Sequence, residues 1–466
     1  MIDIRDLREN PQTYRTGARH KGVSEQTVDE LLQVDRELRE LQTKLQELTA
    51  EKNRIGKEIG QLAGRLKKAD ADAKAELQAR MKELQARPAA IKAEEQALAD
   101  AAAPLEGKRD ELLLLIPQPA DADVPVGASA DENVEIRRWS PEGYDPARPF
   151  AASRGFEPRS HIDLMSGLGM VDLERGVKIS GSRSYVLKGD GFRLHQAILR
   201  YAFDYMTQEH GFVPLTAACL VREQTMVGTG FFPHGREQVY DIANPTSDEG
   251  LALTGTGEVG LMAYHADEIL DAEALPRCYT TLSTCFRREA GAAGKETAGL
   301  YRIHQFDKVE QVVLCRADEA ESRAWHQKMI GFVETLLQRL GLPYRLLQCC
   351  TGDLGAKNAD MIDIECWMPS RAPGLDKGAA DAGGDAGWGE THSASRLYGY
   401  QCRRLNIRYK DPQTGRNVVA HSLNNTVAAS PRILIPIVEM YQTADGTVRV
   451  PEVLQPYMGG TREIGR

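Results

Sequence analysis

No apolar run in this 466-residue chain approaches the roughly 18 residues that a bilayer-spanning helix needs, and the first residues, MIDIRDLREN, are charged from the third onward. A membrane span and an export signal are therefore not expected, and the cytoplasm is the expected compartment. Cysteine is scarce and badly spaced for metal. Its eight positions, 219, 278, 285, 315, 349, 350, 366 and 402, include no CxxC pair. That spacing argues against a zinc site, and so long a chain needs no disulfide scaffold, so the thiols are read as reduced and mostly small core residues. Basic charge is also short: the formal net charge is -9, which counts against a nucleic-acid partner if the average alone is considered. A hydrophobic content of 42% is ordinary for a soluble globular protein, and the length is enough for two or more units with a sizeable core.

The average charge conceals one basic region. Between Lys52 and Lys82, nine bases (Lys52, Arg54, Lys57, Arg65, Lys67, Lys68, Lys74, Arg80 and Lys82) face four acids (Glu58, Asp70, Asp72 and Glu76), a local balance of +5. The flanking sequence has heptad spacing. Leu31, Leu38, Leu45 and Ile59 share one position, with Lys52 interrupting, and Val34, Leu41, Leu48, Ile55 and Leu62 share another three residues on. Such an a/d seam needs a partner helix. Leu77, Leu84, Ile91, Leu98, Leu105 and Leu112 repeat every seven residues after a polar break near Gly64 to Ala75, which predicts an antiparallel coiled-coil hairpin over about 27–115. At 1.5 Å per residue each limb of roughly 35 residues would be about 50 Å long, with the basic cluster around its tip. Pro88 and Pro104 fall inside the second limb and are expected to kink or interrupt it. A hairpin of this kind is most often a spacer or dimerisation element; the basic tip on a seam closed within one chain points instead to an extended polyanion.

Residues 117–150, beginning IPQPADADVP, read as a linker. Beyond it, helical patterns at Phe192 to His210 and Ala317 to Leu340 alternate with many short apolar runs, which by pattern alone means mixed α and β. The densest chemistry lies in Phe286 to Glu310, FRREAGAAGKETAGLYRIHQFDKVE. Cys278 to Phe286 and Phe306 to Val313 read as two antiparallel strands joined by the loop Ala290 to Gly299. An arginine at a strand end presents a rigid fork of donors to carboxylate or phosphate oxygens, and a neighbouring acid can orient it. Phe306 and Glu310 are four apart, so an aromatic platform and an acid share one face of the sheet.

This run resembles motif 2 of the class II aminoacyl-tRNA synthetases, in the form found in seryl-tRNA synthetases. Leu253 to Val259 (LTGTGEV) is similar to that family's TxE serine-binding strand, and Asn424 to Arg432 (NNTVAASPR), running into Ile433 to Gln442, is similar to its motif 3. Order and spacing match from Met1 to about Gly460, and three ordered motifs are far more specific than one. The resemblance implies an α+β fold, in which a helical arm (1–116) that grips the long variable arm of tRNA(Ser) precedes a catalytic domain (151–466) built on an antiparallel sheet flanked by helices. RNA would be read there by backbone and shape. The reaction implied is activation of L-serine with ATP to seryl-adenylate, then transfer to the 3′ end of tRNA(Ser) and, by family, tRNA(Sec).

Two anions, a carboxylate and a triphosphate, must meet in such a site, so fixed cations matter more than a strong base. The resemblance assigns Arg287 to the α-phosphate and carboxylate, Arg432 to the γ-phosphate, Glu289 to the adenine side, Phe306 to stacking on the base and the backbone near Ile303 to its edge. The implied ATP site also takes in Arg288 and the run Glu390, Thr391, His392 and Ser393, of which Glu390 and Ser393 match the family's Mg²⁺-binding pair, suited by its hard oxygen donors. Taken alone, that pair would more readily be a helix cap. Thr256, Gly257 and Glu258 match the strand that holds the α-amino group, while Glu310 and Thr426, with Asn424 nearby, match the residues that bond the serine hydroxyl. A buried acid aimed at a hydroxyl rejects alanine because the pocket would be left with an unpaired polar group. The tRNA-binding set is Lys52, Arg54, Lys57, Arg65, Lys67, Lys68, Lys74 and Arg80. His304 and His421 have no nucleophile in a recognisable motif and are read as hydrogen-bonded structural residues.

Three features depart from the family pattern. Gly257 stands where alanine is common, Ala218 stands where motif 1 usually has proline, although Pro214 is close by, and Arg371 to Gly389 is a long low-complexity run read as a flexible insertion. A symmetric homodimer is expected by family. Rival readings are a duplicated synthetase used in antibiotic biosynthesis or self-resistance, and a non-catalytic RNA-binding coiled-coil protein.

Overall fold

The computed structural model describes every residue except 69, 244–248, 292–298, 372–386 and 466, and gives the backbone alone at 71 and 72. The chain forms two compact units, one of Asp3–Arg19 with Val23–Ile116, the other of Pro117–Arg466 with Met1–Ile2 and His20–Gly22.

The helical unit is dominated by α1 (Glu25–Leu66) and α2 (Ala71–Leu115). Local sequence explains where they start. Ser24 and Asp70 are N-caps whose side chains accept from the backbone N–H of Gln26 and Ala73, meeting donors that the first turn cannot satisfy internally. The seam closes as the heptads predict. Val28, Leu31, Val34, Leu38, Ile55 and Leu62 are buried on α1 and Leu84, Ile91, Ala102 and Leu112 on α2. The limbs run 42 and 45 residues, about 63 and 68 Å, longer than the sequence suggested. Pro88 and Pro104 do not interrupt α2, which is assigned as one helix through both. Each proline removes one backbone bond and crowds the preceding turn, but packing of Leu84 and Ile91 against Ile55 and Leu62 fixes the register on both sides of Pro88, and Pro104 lies on the exposed face.

The larger unit is built on an eight-stranded sheet. Its strands in chain order are β1 (Val134–Trp139), β2 (Val213–Pro214), β3 (Arg277–Phe286), β4 (Gln305–Cys315), β5 (Tyr344–Gln348), β6 (Asp360–Trp367), β7 (Trp388–Tyr398) and β8 (His421–Ser430). They lie side by side as β1-β5-β6-β7-β8-β4-β3-β2. All pairs are antiparallel except β2 with β3. The sheet is flanked by α3 (Gly189–Asp204) and α5 (Glu319–Arg339), with the shorter α4 (Glu258–Ala263) and α6 (Leu434–Met440) near its functional strands. Leu194 and Ile198 of α3 and Met329, Val333 and Leu337 of α5 share one core with Val309, Ile364, Leu423 and Val427 of the sheet. Asp318 caps α5 by accepting from the Glu321 N–H, with Glu319 and Glu321 in the first turn and Arg339 in the last, a charge order that suits the helix dipole.

Part of the expected linker is structured. Residues Val134–Trp139 form the edge strand β1, paired with β5 through a bulge at Ile136, and the charged Glu135, Arg137 and Arg138 are the side chains that blunt such an edge. Two expected loops fall mainly outside the described residues, the motif 2 loop at 292–298 and the low-complexity insertion at 372–386. The ends of that insertion are described: Arg371 closes a short 3-10 turn, and Trp388 and Gly389 already belong to β7.

Candidate active site

β3 and β4 pair in regular register, Phe286 opposite Gln305 and Thr281 opposite Glu310. Regular alternation puts Phe306, Lys308 and Glu310 on one face of β4. β8 joins on the other side with one extra residue, Val427, since Val309 pairs with Ala428 while Glu310 pairs with Thr426. This β-bulge lets both Ala429 and Thr426 face the cavity that Phe306 and Lys308 line. A second bulge lies on β7, where Ile364 pairs with His392 but Glu365 pairs with Glu390. Thr391 is the extra residue, and it brings Glu390 and Ser393 onto the same face.

The cavity encloses about 490 Å³ including its open mouth and is lined by Arg287, Glu289, Tyr301, Ile303, Phe306, Lys308, Glu390, Thr391, His392, Thr426, Ala429 and Arg432. A wider cleft adjoins it, sharing Arg287, Glu289, Glu390 and Arg432 as common walls and adding Gln238, Gly255, Phe286 and Arg302. Two guanidinium groups thus stand at the junction. Arg287 lies over the Phe306 ring, 5.3 Å from its centroid, and its Nε is 3.4 Å from the Gly255 carbonyl. Arg432 donates from Nε to the Tyr301 carbonyl at 3.1 Å and from Nη1 to the Glu390 carbonyl at 3.1 Å, and its guanidinium stacks 4.4 Å from the Tyr301 ring. Glu289, at φ 51 in the left-handed region, points its carboxylate at Arg302, 3.3 Å away. A non-glycine residue there is uncommon and held by its surroundings. The next residue supplies the hold: Gln238 accepts from the Ala290 N–H at 3.1 Å and donates to the Ala290 carbonyl at 2.9 Å.

Below this floor lies a layer of buried charge. Glu310, 1% exposed, is ion-paired with Lys308 and accepts from the Thr256 hydroxyl at 3.2 Å. Lys308 Nζ also donates to Thr256 Oγ1 at 2.9 Å. Burial pushes the Glu310 carboxyl above the usual carboxylate range, against the pull of the Lys308 ammonium. Glu258 accepts at 2.6 Å from both Lys357 Nζ and Gln401 Nε2. The segment expected as a serine-binding strand is only partly one. The strand ends at Leu253 and Glu258 opens α4, because Thr254 to Gly257 must turn beneath β3. The turn is tight: a Cβ on Gly257 would lie 2.4 Å from Thr281 Cγ2 and 2.9 Å from Ser283 Oγ. Glycine at 257 therefore fits this packing, where alanine would collide.

The expected site residues divide into four groups. Arg287, Glu289, Ile303, Phe306, Glu390, Thr391, His392, Thr426 and Arg432 line the cavity. Thr256, Gly257, Glu258 and Glu310 lie one layer deeper, behind Lys308. Asn424 is buried on β8 opposite Val312, with its Nδ2 lacking a partner. Arg288 is exposed and lines neither cavity, and Ser393 sits opposite Asp363 on β6. Burial and the nearby Glu390 carboxylate push the Asp363 carboxyl well up. The oxygen donors of Glu390, Ser393 and Asp363, with their excess negative charge, fit a hard divalent cation. Thr391 and His392 turn their side chains inward: Thr391 bonds the Ile364 carbonyl at 3.2 Å, and His392 Nε2 meets the Val427 carbonyl at 3.1 Å, with burial lowering its imidazole to about 3.

Histidines 304 and 421 make structural bonds, to the Arg287 carbonyl at 3.0 Å and the Ser322 hydroxyl at 2.8 Å. On the helical unit Lys52, Arg54, Lys57, Arg65, Lys67, Lys68, Lys74 and Arg80 are all exposed. Lys52 pairs with Glu95 at 2.7 Å and Arg80 with Glu58 and Glu83 at 3.3 and 2.8 Å. The sequence pattern missed Lys308, Tyr301, Gln238, Lys357 and Gln401. Lys308 carried a signal in its alternation with Phe306 and Glu310, and Tyr301 lies within the same Phe286 to Glu310 run; Gln238, Lys357 and Gln401 reach the site from remote segments.

Comparison with known proteins bears on this geometry. Residues 240–441 match the family model of the tRNA synthetase class II core domain (G, H, P, S and T), and residues 1–117 match that of the seryl-tRNA synthetase N-terminal domain. The chain is 40% identical to a serine–tRNA ligase of Deinococcus radiodurans, over all of this chain and 99% of that one, and 40% identical to one of Streptomyces coelicolor with the same coverage, 100% and 99%. Among solved structures it is similar to a seryl-tRNA synthetase from Pyrococcus horikoshii complexed with ATP, with a TM-score of 0.85 at 35% identity over 100% and 99% of the two chains.

Proposed function

The chain belongs to the seryl-tRNA synthetases, class II ligases that charge tRNA with serine, and from that premise we propose how its residues divide the work. It is an aminoacyl-tRNA ligase that uses ATP. In the first half-reaction the serine carboxylate attacks the α-phosphorus of ATP, forming the acyl-phosphate bond as the bond to pyrophosphate breaks. Arg287 stands between the stacking platform Phe306 and the junction of the two cavities, so it holds the carboxylate and α-phosphate oxygens together against their repulsion. Arg432 takes the distal phosphates, and Ile303 meets the edge of an adenine stacked on Phe306. Bound Mg²⁺, held by Glu390 and Ser393, would neutralise phosphate charge.

On the amino-acid side Thr256 and Glu258 receive the α-ammonium, while Glu310 and Thr426 receive the hydroxyl, with Asn424 beside them. Alanine leaves those acceptors unpaired in a dry pocket, and threonine is excluded by size. In the second half-reaction the terminal ribose hydroxyl of tRNA attacks the adenylate carbonyl and AMP leaves. The assignment of 1–116 as the tRNA(Ser)-binding arm rests on the exposed basic cluster at the end of the hairpin, and tRNA(Sec) is taken as a second substrate by family. A homodimer in the cytoplasm is proposed. Its interface would use the short edge strand β2 and the exposed apolar side chains Val213, Leu220 and Leu282. Among the described residues no helix is long and apolar enough to cross a membrane.

The observation that carries the residue assignment is the convergence of Arg287, Arg432, Phe306 and Lys308 on one cavity, with Glu310 directly beneath. Serine-dependent exchange of pyrophosphate into ATP tests it: Arg287→Ala should abolish exchange while the protein stays folded, and exchange at the wild-type rate would remove the assignment. The scaffold reading has no support, since the full-length relatives are serine–tRNA ligases.

A further inference from the structure

Glu310 does not line the cavity that serine would enter; Lys308 does. The Lys308 ammonium holds the two acceptors that the substrate would need, the Thr256 hydroxyl at 2.9 Å and the Glu310 carboxylate. One side chain therefore covers both the ammonium subsite and the hydroxyl subsite. We propose that Lys308 is a placeholder cation of the serine pocket, which keeps Glu310 and Thr256 paired while the pocket is empty, yields them to the ammonium and hydroxyl of serine, and turns to the serine carboxylate. This rests on the assignment of the pocket to serine.

Charge balance favours the exchange. Lys308, Glu310, Lys357 and Glu258 are four buried charges that sum to zero. Serine arrives as a zwitterion, also neutral, and its carboxylate needs a cation just where Lys308 is released. A buried carboxylate left without its ammonium would be strongly disfavoured in the charged form. The groups facing Glu310 are few. Thr256 and Glu258 approach from the turn into α4, Lys357 from the loop before β6, Thr281 and Cys285 from β3, and Thr426 from β8. Cys285 stays a neutral thiol, pushed up to about 11 by burial. Without Lys308, Glu310 would feel the Lys357 ammonium, but that group is already committed to Glu258 at 2.6 Å.

The test is pyrophosphate exchange by Lys308→Met and Lys308→Arg across about pH 6 to 9. Lys308→Met should raise the serine KM about 10- to 100-fold with the ATP KM nearly unchanged. Its kcat/KM for serine should climb with pH, because the unpaired Glu310 carboxyl keeps its proton at neutral pH. Lys308→Arg, which retains the charge, should restore a flat profile. A Lys308→Met enzyme with the wild-type serine KM and pH profile overturns the proposal. Wild-type protein gives a reading independent of any variant. Calorimetry of serine binding in two buffers of different ionisation enthalpy should find no proton exchanged at neutral pH, and a proton released per serine bound would overturn the placeholder role. Glu310→Gln separates the two levels. If serine selectivity survives it, the pocket assignment itself fails; if selectivity is lost while Lys308→Met behaves as wild type, only the placeholder fails.

Discussion

Both units of this molecule are rich in ion pairs, but they use charge in opposite ways. On the hairpin the pairs Lys52–Glu95, Arg80–Glu58 and Arg87–Glu51 are solvent-facing, where water screens each pair, salt weakens it further and the net contribution is small. Beneath the cleft, Lys308–Glu310 and Lys357–Glu258 are almost wholly removed from water, where loss of one partner strands the other at about 3–5 kcal/mol. Charge on the hairpin is a field, spread over many replaceable side chains. Charge in the cleft is a set of single positions, each with one geometry.

Changes that remove a whole unit should break this contrast most completely. Deleting residues 30–112 should abolish tRNA charging and spare serine-dependent pyrophosphate exchange; charging that survives would mean that the cleft alone recognises tRNA. Glu310→Ala comes next. It strands Lys308, so the protein should lose about 3–5 kcal/mol of stability in denaturant unfolding, and serine selectivity should fail before ATP binding does. Gly257→Ala is a milder, steric version of the same test. With Thr281 Cγ2 2.4 Å from the added methyl, overpacking of about 1–3 kcal/mol is expected, read as a raised serine KM that Thr281→Ser reverses. A single change in the field should do least. Lys67→Ala should weaken tRNA binding by less than about 1 kcal/mol and reduce its salt slope by roughly one, with exchange unaltered; a loss as large as that of Glu310→Ala would erase the distinction between the units.

The same contrast explains what the sequence revealed. The hairpin was legible because its seam repeats every seven residues, so each leucine reinforces the next; the interruption weighed at Pro88 did not occur, because the packing of Leu84 and Ile91 overrides propensity there. Strands β3 and β4 were legible to within a residue or two from their apolar content. Edge strand β1 was taken for linker because one exposed face and a proline-rich approach leave little apolar signal. In the cleft, motif spacing located the residues that line the cavity but not the partners beneath. Lys357 meets Glu258 across 99 positions of chain, Gln401 across 143, and no periodicity spans such distances. The Thr256 turn was read as a strand because the steric demand at Gly257 comes from Thr281, a residue on another segment.

One extra residue on β7 has an effect beyond its own position. Sides alternate along a strand, so Glu390 and Ser393, three positions apart, would look in opposite directions in a regular ladder. The bulge at Thr391 absorbs one of the three steps and turns both oxygen donors to the same side. The chemistry of this strand is spelled by arithmetic as much as by the alphabet.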